Sequence, residues 1–307
     1  MSSLTEIADV ALIHILERCS FSSVMRLRKV CKSLRKFIDE SHLETDLKYA
    51  AISISPALFQ FRWCTKLPPE DNEFENDDIT SEELRTILSI QNSKLCTLEV
   101  SVHRQPELLA DLEDILKAKR RSLQVEKLVM GAIDVSEFMK VLSHMDSDVL
   151  KTIHLFSTGW GKIILNGMEE LLEIEQIKNA KEFKLVDFMV EKDLCKFFHF
   201  EACDINFDKL AEKDLVALKE AFTTSTHMRK FILQATNLDG NMAEKVFGEP
   251  LSESAEINGV VRDVKSWYFQ MKNCKEHVLQ MGCYKKTIGL FKRQKSTISN
   301  KEIVFEE

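Results

Sequence analysis

Cys195 and His199 are the two side chains of this sequence whose spacing best suits covalent catalysis. Residues four apart share one face of a helix, so a histidine there can deprotonate a thiol and activate it as a nucleophile. The segment that contains them, LCKFFHF, is strongly apolar, which is typical of a packed face. We therefore interpret the pair as packing residues and predict that the chain is not an enzyme.

A second group, Cys274, His277 and Cys283, offers three ligands of the kind that zinc prefers. A structural zinc site takes four ligands, and no nearby fourth residue has ligand-like spacing. The sequence therefore predicts no metal.

The segment GWGKIILNG contains Gly159, Gly161 and Lys162, which is a partial phosphate-binding pattern. It lacks the four residues between the glycines and the hydroxyl residue after the lysine that a phosphate loop requires. We interpret it as a turn and predict no cofactor.

Two basic segments remain, MRLRKVCKSLRKF at 25–37 and KAKRR at 117–121. With 42 Lys and Arg against 49 Asp and Glu, the net charge is −7, which disfavours nucleic-acid binding. The first segment has apolar residues three and four apart, so its cations form the solvated side of a helix. The second is predicted to lie at a helix C-terminus, where cations meet the helix dipole favourably. The apolar stripe of the first segment is Val24, Leu27, Val30, Cys31, Leu34, Phe37 and Ile38.

The chain of 307 residues, with 44% apolar and 30% charged residues, has the composition of a globular protein. Its N-terminus, MSSLTEIADV, lacks the basic and apolar regions of a signal peptide, and AAISISPALFQF is too short to cross a membrane. The eight cysteines form no close pairs, which favours a reducing compartment. We predict an intracellular protein, cytoplasmic or nuclear or both, without membrane association.

Residues 3–48 have helical periodicity throughout, with Ser22 or Ser23 as the predicted N-cap of the second helix. Two or three short helices of this size cannot bury their own apolar stripes, so another body must cover part of them. KYAAISIS and ALFQFRW then predict two strands, and the eight acids between Glu70 and Glu83 predict an exposed acidic loop or linker.

From about residue 82 to 270, predicted strands with apolar residues at positions 1, 4 and 6 alternate with amphipathic helices. The strand starts are 22 to 36 residues apart, a period similar to that of leucine-rich-repeat solenoids. Strict alternation predicts an α/β fold with a parallel sheet and helices on its outer side, and a doubly wound open sheet is the alternative. The seven copies are Leu95/Leu98/Val100, Val125/Leu128/Met130, Leu150/Ile153/Leu155, Ala180/Phe183/Leu185, Ala202/Ile205/Phe207, Met228/Phe231/Leu233 and Val264/Trp267/Phe269.

The segment SLTEIADVALIHILERCSFSSVMRLRKVCKSLRKFID resembles the F-box, a helical module that docks on the Skp-family adaptor of cullin–RING ubiquitin ligases. The matching features are Leu4, Ile15 with Leu16, Phe21, the RLRKVCKSLR helix and Phe37. Further on, MEELLEIEQIKNAKEFKLVDFMVEKDLCKFFHFEACDINF and EKDLVALKEAFTTSTHMRKFIL resemble the FTH domain that follows the F-box in a large nematode family. Ala8 departs from the F-box pattern, which usually has proline at this entry to the first helix, and this departure puts the strength of adaptor docking in question.

The resemblance implies a three-helix F-box followed by a leucine-rich-repeat-like solenoid, with domains at 3–48 (F-box), 49–80 (strand pair and acidic linker), 81–272 (FTH-like repeats) and 273–307 (C-terminal extension with a frayed tail). It implies a substrate-recognition subunit of an SCF-type ubiquitin ligase, bound to a Skp-family adaptor and through it to a cullin. A protein- or RNA-binding scaffold that acts without a ligase is the alternative. The implied adaptor-binding residues are Leu4, Ile7, Val10, Ile15, Leu16, Phe21, Val24, Leu27, Val30 and Leu34.

The partner at the other end would be a target protein of unknown identity, with nucleic acid an improbable ligand. In a solenoid, the residues between the apolar strand positions line the open face, and we predict that one residue of each strand contacts the target. These residues are Glu99, Val129, His154, Lys184, Asn206, Ile232 and Tyr268.

Overall fold

The computed structural model describes residues 9–298 except for 42, 44, 56–57, 66–73, 104, 120, 192, 258–259 and 273. It divides into two compact units, one of residues up to 158 with 174–179, and the other of residues 159–173 with 180 onward. The helices are α1 (Asp9–Leu16), α2 (Phe21–Arg28), α3 (Lys32–Glu40), α4 (Ser81–Ile90), α5 (Pro106–Lys117), α6 (Val135–Leu142), α7 (Met168–Glu173), α8 (Glu175–Lys178), α9 (Glu212–Thr224) and α10 (Gly240–Phe247). Two 3-10 helices cover Leu194–Phe197 and Lys295–Thr297.

The strands are β1 (Tyr49–Ser55), β2 (Leu58–Cys64), β3 (Glu75–Ile79), β4 (Leu95–Val102), β5 (Val125–Ala132), β6 (Thr152–Ser157), β7 (Ile163–Ile164), β8 (Glu182–Val186), β9 (Phe188–Met189), β10 (Ala202–Phe207), β11 (Lys230–Ala235), β12 (Leu251–Ile257), β13 (Val260–Met271), β14 (Cys274–Tyr284) and β15 (Thr287–Gln294).

The N-terminal helices break where the sequence supplies caps. Ser20 is the N-cap of α2 and its hydroxyl accepts a hydrogen bond from the Ser23 amide at 3.3 Å, so the predicted cap at Ser22 or Ser23 is wrong by two or three residues. Cys31 caps α3, with its Sγ 3.5 Å from the Leu34 amide. The stripe read as one helix over residues 24–38 is therefore divided between two helices.

The first unit forms a mixed sheet in the order β3-β2-β1-β4-β5-β6. Strands β1, β4, β5 and β6 are parallel neighbours, and α5 and α6 make the crossovers between β4, β5 and β6. Burial alternates along these strands because one face packs on the helices and the other stays open. From β4 to β6 the strands follow one another both in the sequence and in space, whereas β2 and β3 lie on the other side of β1.

The predicted acidic loop is partly wrong. Residues 75–79 form the edge strand β3, which pairs antiparallel with β2, and a capping box at Thr80 starts α4. The strand ENDDI has one apolar residue, Ile79, so no alternation of apolar and polar residues marks it in the sequence. Residues 66–73 of the predicted linker lie outside the described residues.

The second unit continues the alternation with the parallel strands β8, β10 and β11, and then changes to an antiparallel meander in the order β15-β14-β13-β12. The seventh predicted copy, at Val264, is therefore not a parallel repeat: β13 pairs antiparallel on both sides. Its apolar residues at 264, 267 and 269 reproduced the repeat spacing within one long strand. The short strands β7 and β9 pair separately.

The register of β10 against β8 and β11 shows that one predicted repeat copy was placed at the wrong residues. Cys203 lies opposite Phe183 and Phe231, and Ile205 lies opposite Leu233. The repeat on β10 is therefore Phe200/Cys203/Ile205, two residues earlier than the predicted copy that starts at Ala202.

Stacked phenylalanines fill the core at this point. The Phe183 and Phe200 rings are 5.3 Å apart and nearly parallel, and the Phe197 ring lies 5.9 Å from Phe207 edge to face. All four side chains are buried. Among the described residues between β8 and β10, the only regular elements are β9 and a 3-10 helix. Aromatic side chains therefore occupy the volume that a longer helix fills in the other intervals.

Candidate adaptor- and target-binding surfaces

Cys195 and His199 do not form a nucleophile and base in this structure. Cys195 lies on a 3-10 helix rather than an α-helix, and burial together with a hydrogen bond to Asp193 raises the pKa of its thiol. The His199 ring contacts Phe200 in a tilted arrangement with centroids 3.8 Å apart, and its Nδ1 lies 3.1 Å from the Lys196 carbonyl oxygen. A nucleophilic cysteine needs a lowered pKa, so the environment of Cys195 opposes this chemistry.

The three candidate zinc ligands have different environments. Cys274 Sγ lies 3.0 Å from His277 Nδ1, while Cys283 is buried and burial raises the pKa of its thiol to about 11. Across the described residues, no group of three or more His, Cys, Asp or Glu is arranged to hold a metal ion.

The GWGK segment forms a turn in which Gly161 adopts a φ of +78°, the left-handed region that glycine enters without strain. Lys162 Nζ donates a 2.7 Å hydrogen bond to Gln234 Oε1, which fixes the segment over the end of β11. Trp160 between the glycines is 92% exposed. Large exposed aromatic side chains are frequent anchors of protein interfaces, and sequence analysis did not single out this residue.

The basic segment 117–121 has structural partners. Lys117 ends α5 and pairs with Glu113 at 2.6 Å. The Lys119 ammonium donates to the carbonyl oxygens of Leu88 and Gln91 at the end of α4, and burial lowers its pKa. The predicted interaction of this segment with a helix C-terminus is therefore present, on α4 as well as α5.

The adaptor-binding prediction divides into exposed and buried residues. Val10 is 68%, Ile15 42% and Val30 67% exposed, and Leu27 is half-buried. These side chains leave apolar surface in water on α1 and around the α2–α3 junction. Leu4, Ile7 and Ala8 lie outside the described residues.

The adaptor-binding prediction is corrected at four residues that are buried within the protein and do not face a partner: Leu16, Phe21, Val24 and Leu34. They are buried because the first unit, and not a partner, covers that side of the helices. The Phe21 ring packs edge-to-face on Trp63 of β2, with centroids 5.9 Å apart, and the Phe21 amide donates to Asp46 Oδ1 at 2.8 Å.

Arg28 also belongs to this internal contact and not to a solvated rim. Its Nε and Nη2 donate to the Asp39 carboxylate at 2.6 and 3.0 Å, and Nη2 also donates to the Thr86 hydroxyl of α4 at 3.1 Å. This bidentate pair joins α2 to α3, and the bond to Thr86 attaches both helices to α4.

The open face of the first sheet brings three predicted target-binding residues into one row. Glu99, Val129 and His154 are register partners across β4, β5 and β6. The same row continues to Ala51 and Arg62 on β1 and β2, strands that the prediction left out because they precede the repeats. A cleft of about 640 Å³ lies over this extension.

Two charged residues that line this cleft, Arg62 and Glu99, also contact the buried Tyr49. Arg62 Nη2 donates to the Tyr49 hydroxyl at 3.1 Å, and Arg62 lies 3.9 Å from Glu99. Burial, with a hydrogen bond to Glu99, raises the pKa of Tyr49 to about 12. The Arg62 guanidinium also lies over the Phe74 ring at 4.7 Å, so its plane is fixed by the aromatic residue.

In the second unit, Lys184 and Ile232 share a row, and Asp204 lies between them. Asp204 forms an ion pair with Lys184 at 3.2 Å. The prediction named Asn206 because its copy on β10 was two residues out of register, so the open-face residue missed in this row is Asp204. Asn206 itself lies one row further along, opposite Gln234.

Tyr268 is the second correction to the target-binding residues. It is buried, its hydroxyl donates to the Glu253 carboxylate at 2.8 Å, and it accepts a 3.1 Å hydrogen bond from Gln280 Nε2. The residue lies in the antiparallel meander, where no repeat face continues.

Comparison with protein families agrees with this organisation. Residues 4–45 match the family model of the F-box domain, which contains α1 to α3. Residues 106–250 match the model of the FTH domain, from α5 to the end of α10. The chain therefore carries an F-box domain followed by an FTH domain. A search of curated proteins found no match.

Both domains are interaction modules and not catalytic domains. F-box domains typically bind the Skp1 adaptor and through it a cullin, so this domain suggests a substrate adaptor of the SCF type, and the FTH domain is consistent with a substrate-binding region. None of the helices in the described ranges is long and apolar enough to span a bilayer.

Proposed function

We propose that the protein is the substrate-recognition subunit of an SCF-type ubiquitin ligase, with an F-box that docks on a Skp-family adaptor and an FTH region that binds a target protein. The observation that carries the proposal is the exposure of Val10 and Val30 in the segment that matches the F-box. Apolar side chains two-thirds exposed on α1 and at the α2–α3 junction are the surface that a docking partner would cover.

The proposal includes the finer organisation that the resemblance implies. The order of β4, β5 and β6 in sequence and space supports a leucine-rich-repeat-like arrangement, because the parallel strands are added on one side of β1 only. A doubly wound sheet has parallel strands on both sides of its first strand, whereas β2 and β3 continue from β1 as antiparallel strands. The F-box followed by FTH suggests membership of the nematode family. Residues 81–272 remain our proposed FTH-like region, with parallel repeats as far as β11 and part of the antiparallel meander at its end. An intracellular site of action, cytoplasmic or nuclear, follows from the ligase role.

Target binding is assigned to the open faces of the two sheets, with Glu99, Val129 and His154 on one and Lys184 and Ile232 on the other. Their side chains are partly exposed, and two of them form ion pairs with neighbouring strands, Glu99 with Arg62 at 3.9 Å and Lys184 with Asp204 at 3.2 Å. A partly exposed row of mixed charge and apolar surface is the composition of a protein-binding face.

The test is co-expression of the full chain with a Skp-family adaptor, followed by size-exclusion chromatography. Val30→Asp should abolish the stoichiometric complex, since burying an unpaired carboxylate in an apolar interface lowers affinity by at least about tenfold. The matched control is Val216→Asp, a valine 41% exposed on α9 outside the F-box, which should leave the complex intact.

Wild-type protein that elutes alone, folded and monomeric, would contradict adaptor docking and favour a scaffold that acts without a ligase. Equal loss of the complex in both variants would show that the two substitutions act through general instability. Circular dichroism of each variant separates that case from loss of the docking surface.

A further inference from the structure

A second cleft, of about 390 Å³, lies between α2, the β2–β3 hairpin and the start of α4 in the first unit. We call it the α2–β3 cleft. Its apolar lining includes Phe21, Phe61 and Trp63, and the Phe61 and Trp63 rings stack with centroids 5.2 Å apart. The volume and the aromatic lining suit a short segment of another molecule.

Trp63 gives the first indication of what this segment contains. The residue is 7% exposed, and its indole Nε1 is buried without a hydrogen-bond partner among the residues that the structure describes. An indole N–H is a donor only, and leaving it buried and unpaired is costly. The cleft therefore lacks one hydrogen-bond acceptor that a ligand would supply.

The charges around the cleft decide which acceptor is suitable. Three cations and four acids line it, and Arg28 among the cations is already neutralised by Asp39. The remaining lining is net negative, with Asp77 and Asp78 exposed on β3. A carboxylate or phosphate would be repelled, so the acceptor is a neutral carbonyl oxygen and the accompanying side chains are cationic.

The free edge of β3 indicates that the ligand is an extended peptide that pairs with it through backbone hydrogen bonds. β3 ends the sheet, and in the described part of the chain β2 is its only strand partner. Asn76, Asp77 and Asp78 line both the α2–β3 cleft and the cleft on the open face, so both sides of this strand are accessible. A peptide added along the free edge would place alternate side chains into the two clefts.

We propose that the free edge of β3 and the α2–β3 cleft bind an extended segment bearing lysine or arginine, with a carbonyl oxygen of that segment accepting from Trp63 Nε1. The proposal rests on the proposed function only in assigning the segment to the target protein. It adds a recognition site for basic sequence next to the F-box.

The experiment measures binding of fluorescein-labelled peptides to the full chain by anisotropy. The probes are peptides of equal length in which valine alternates with lysine, arginine or glutamate, and a lysine peptide N-methylated on alternate backbone nitrogens. The lysine and arginine peptides should bind, and the glutamate peptide should not. The N-methylated peptide should bind at least about tenfold more weakly because it cannot pair with a strand edge.

Two variants test the residues. Asp77→Asn combined with Asp78→Asn should weaken binding of the lysine peptide about tenfold, and Trp63→Phe, which keeps the ring and removes the donor, about fivefold. The matched control is Glu107→Gln, an exposed acid on α5, which should change nothing. Thermal unfolding of each variant checks that the fold is intact.

Equal binding of lysine and glutamate peptides would overturn the proposal, as would unchanged affinity in both cleft variants or an equal loss in Glu107→Gln. The adaptor co-elution test, repeated on the same variants, separates this inference from the proposed function. Adaptor binding without peptide binding defeats the inference alone, and peptide binding without adaptor binding defeats the proposed function alone.

Discussion

Tyr49 is a buried phenol held between a guanidinium and a carboxylate, and this environment links its proton to stability. Its pKa is raised from 10.0 to about 12, so the folded protein retains a proton that the unfolded chain releases above pH 10. The stabilisation is fully present below pH 10 and is lost as pH rises towards 12. Discounted for solvent screening, it corresponds to about 1 to 2 kcal/mol.

We expect the free energy of unfolding in urea to fall between pH 9.5 and 11.5 more steeply in wild type than in Tyr49→Phe, which has no proton to release there. Tyr284→Phe, a change at a tyrosine without this environment, serves as the comparison. Parallel pH curves for wild type and Tyr49→Phe would show that Tyr49 is not the responsible group.

The Lys184–Asp204 pair tests whether the open face of the second unit is a binding face or part of the structural core. Both side chains are partly exposed, and exposed ion pairs contribute about 0 to 1 kcal/mol. Lys184→Ala and Asp204→Ala should each lower the free energy of unfolding by less than about 1 kcal/mol. A larger loss measured by urea titration would assign the pair to the structural core and not to a binding face.

At the scale of elements, α3 begins with an unusual cap. Cys31 has the extended backbone of an N-cap, but sulfur is a weak acceptor and lies 3.5 Å from the amide it serves. Cys31→Ser should raise the free energy of unfolding by about 0.5 to 1 kcal/mol, because serine is among the preferred caps. Cys31→Ala is the control, and a serine variant no more stable than the alanine variant would contradict the assignment.

The interval between β8 and β10 depends on its phenylalanines in place of a long helix. Phe200→Ala removes a ring stacked on Phe183 and should cost about 3 to 5 kcal/mol of unfolding free energy. Phe198→Ala, two residues away and half-buried, should cost clearly less. Thermal unfolding compares the two, and similar losses would mean that the stack contributes nothing specific.

The sequence predicted the strands well where the apolar residues fitted the repeat spacing in one way, and less well where they fitted it in two ways. Leu98, Leu128 and Ile153 are register partners, as the repeat spacing implies. The β10 copy was displaced because Ala202 is apolar and passed for the first position that Phe200 occupies. Spacing alone cannot distinguish these two starts, since both leave an apolar residue at each required place.

The same limit applied to the candidate surfaces. Val24 and Val30 look equivalent on one helical stripe, but α2 ends at Arg28. Val24 is therefore buried on the helix, while Val30 lies in the turn before α3 and is exposed. Which apolar residues face a partner depends on what the rest of the unit covers, and that is a tertiary property. Trp63 and the cleft it lines could not be predicted from spacing at all.

For the whole molecule, the eight cysteines provide a direct test, because all of them are free thiols. Cys31 is exposed, whereas Cys203 is buried and its pKa is raised well above the usual value by that burial. Iodoacetamide should label Cys31 first in the native protein and Cys195 more slowly, since the pKa of Cys195 is also raised.

In denaturant without reductant, all eight thiols should react, and mass spectrometry of the digested protein locates each one. Native labelling of Cys203 would contradict its burial. Fewer than eight reactive thiols after denaturation would contradict the absence of disulfides.

The pairing of β15 with β11 has a consequence for synthesis on the ribosome. In the first unit each parallel strand finds its neighbour among residues already made, so the sheet can extend as translation proceeds. In the second unit, β11 waits for β15, which is made more than fifty residues later and also closes the meander through β14. Until then β11 exposes an unpaired apolar edge. A premature stop codon before β15 would therefore leave a truncated product whose unpaired strand edge promotes aggregation, and such a product is a substrate for chaperones and proteolysis.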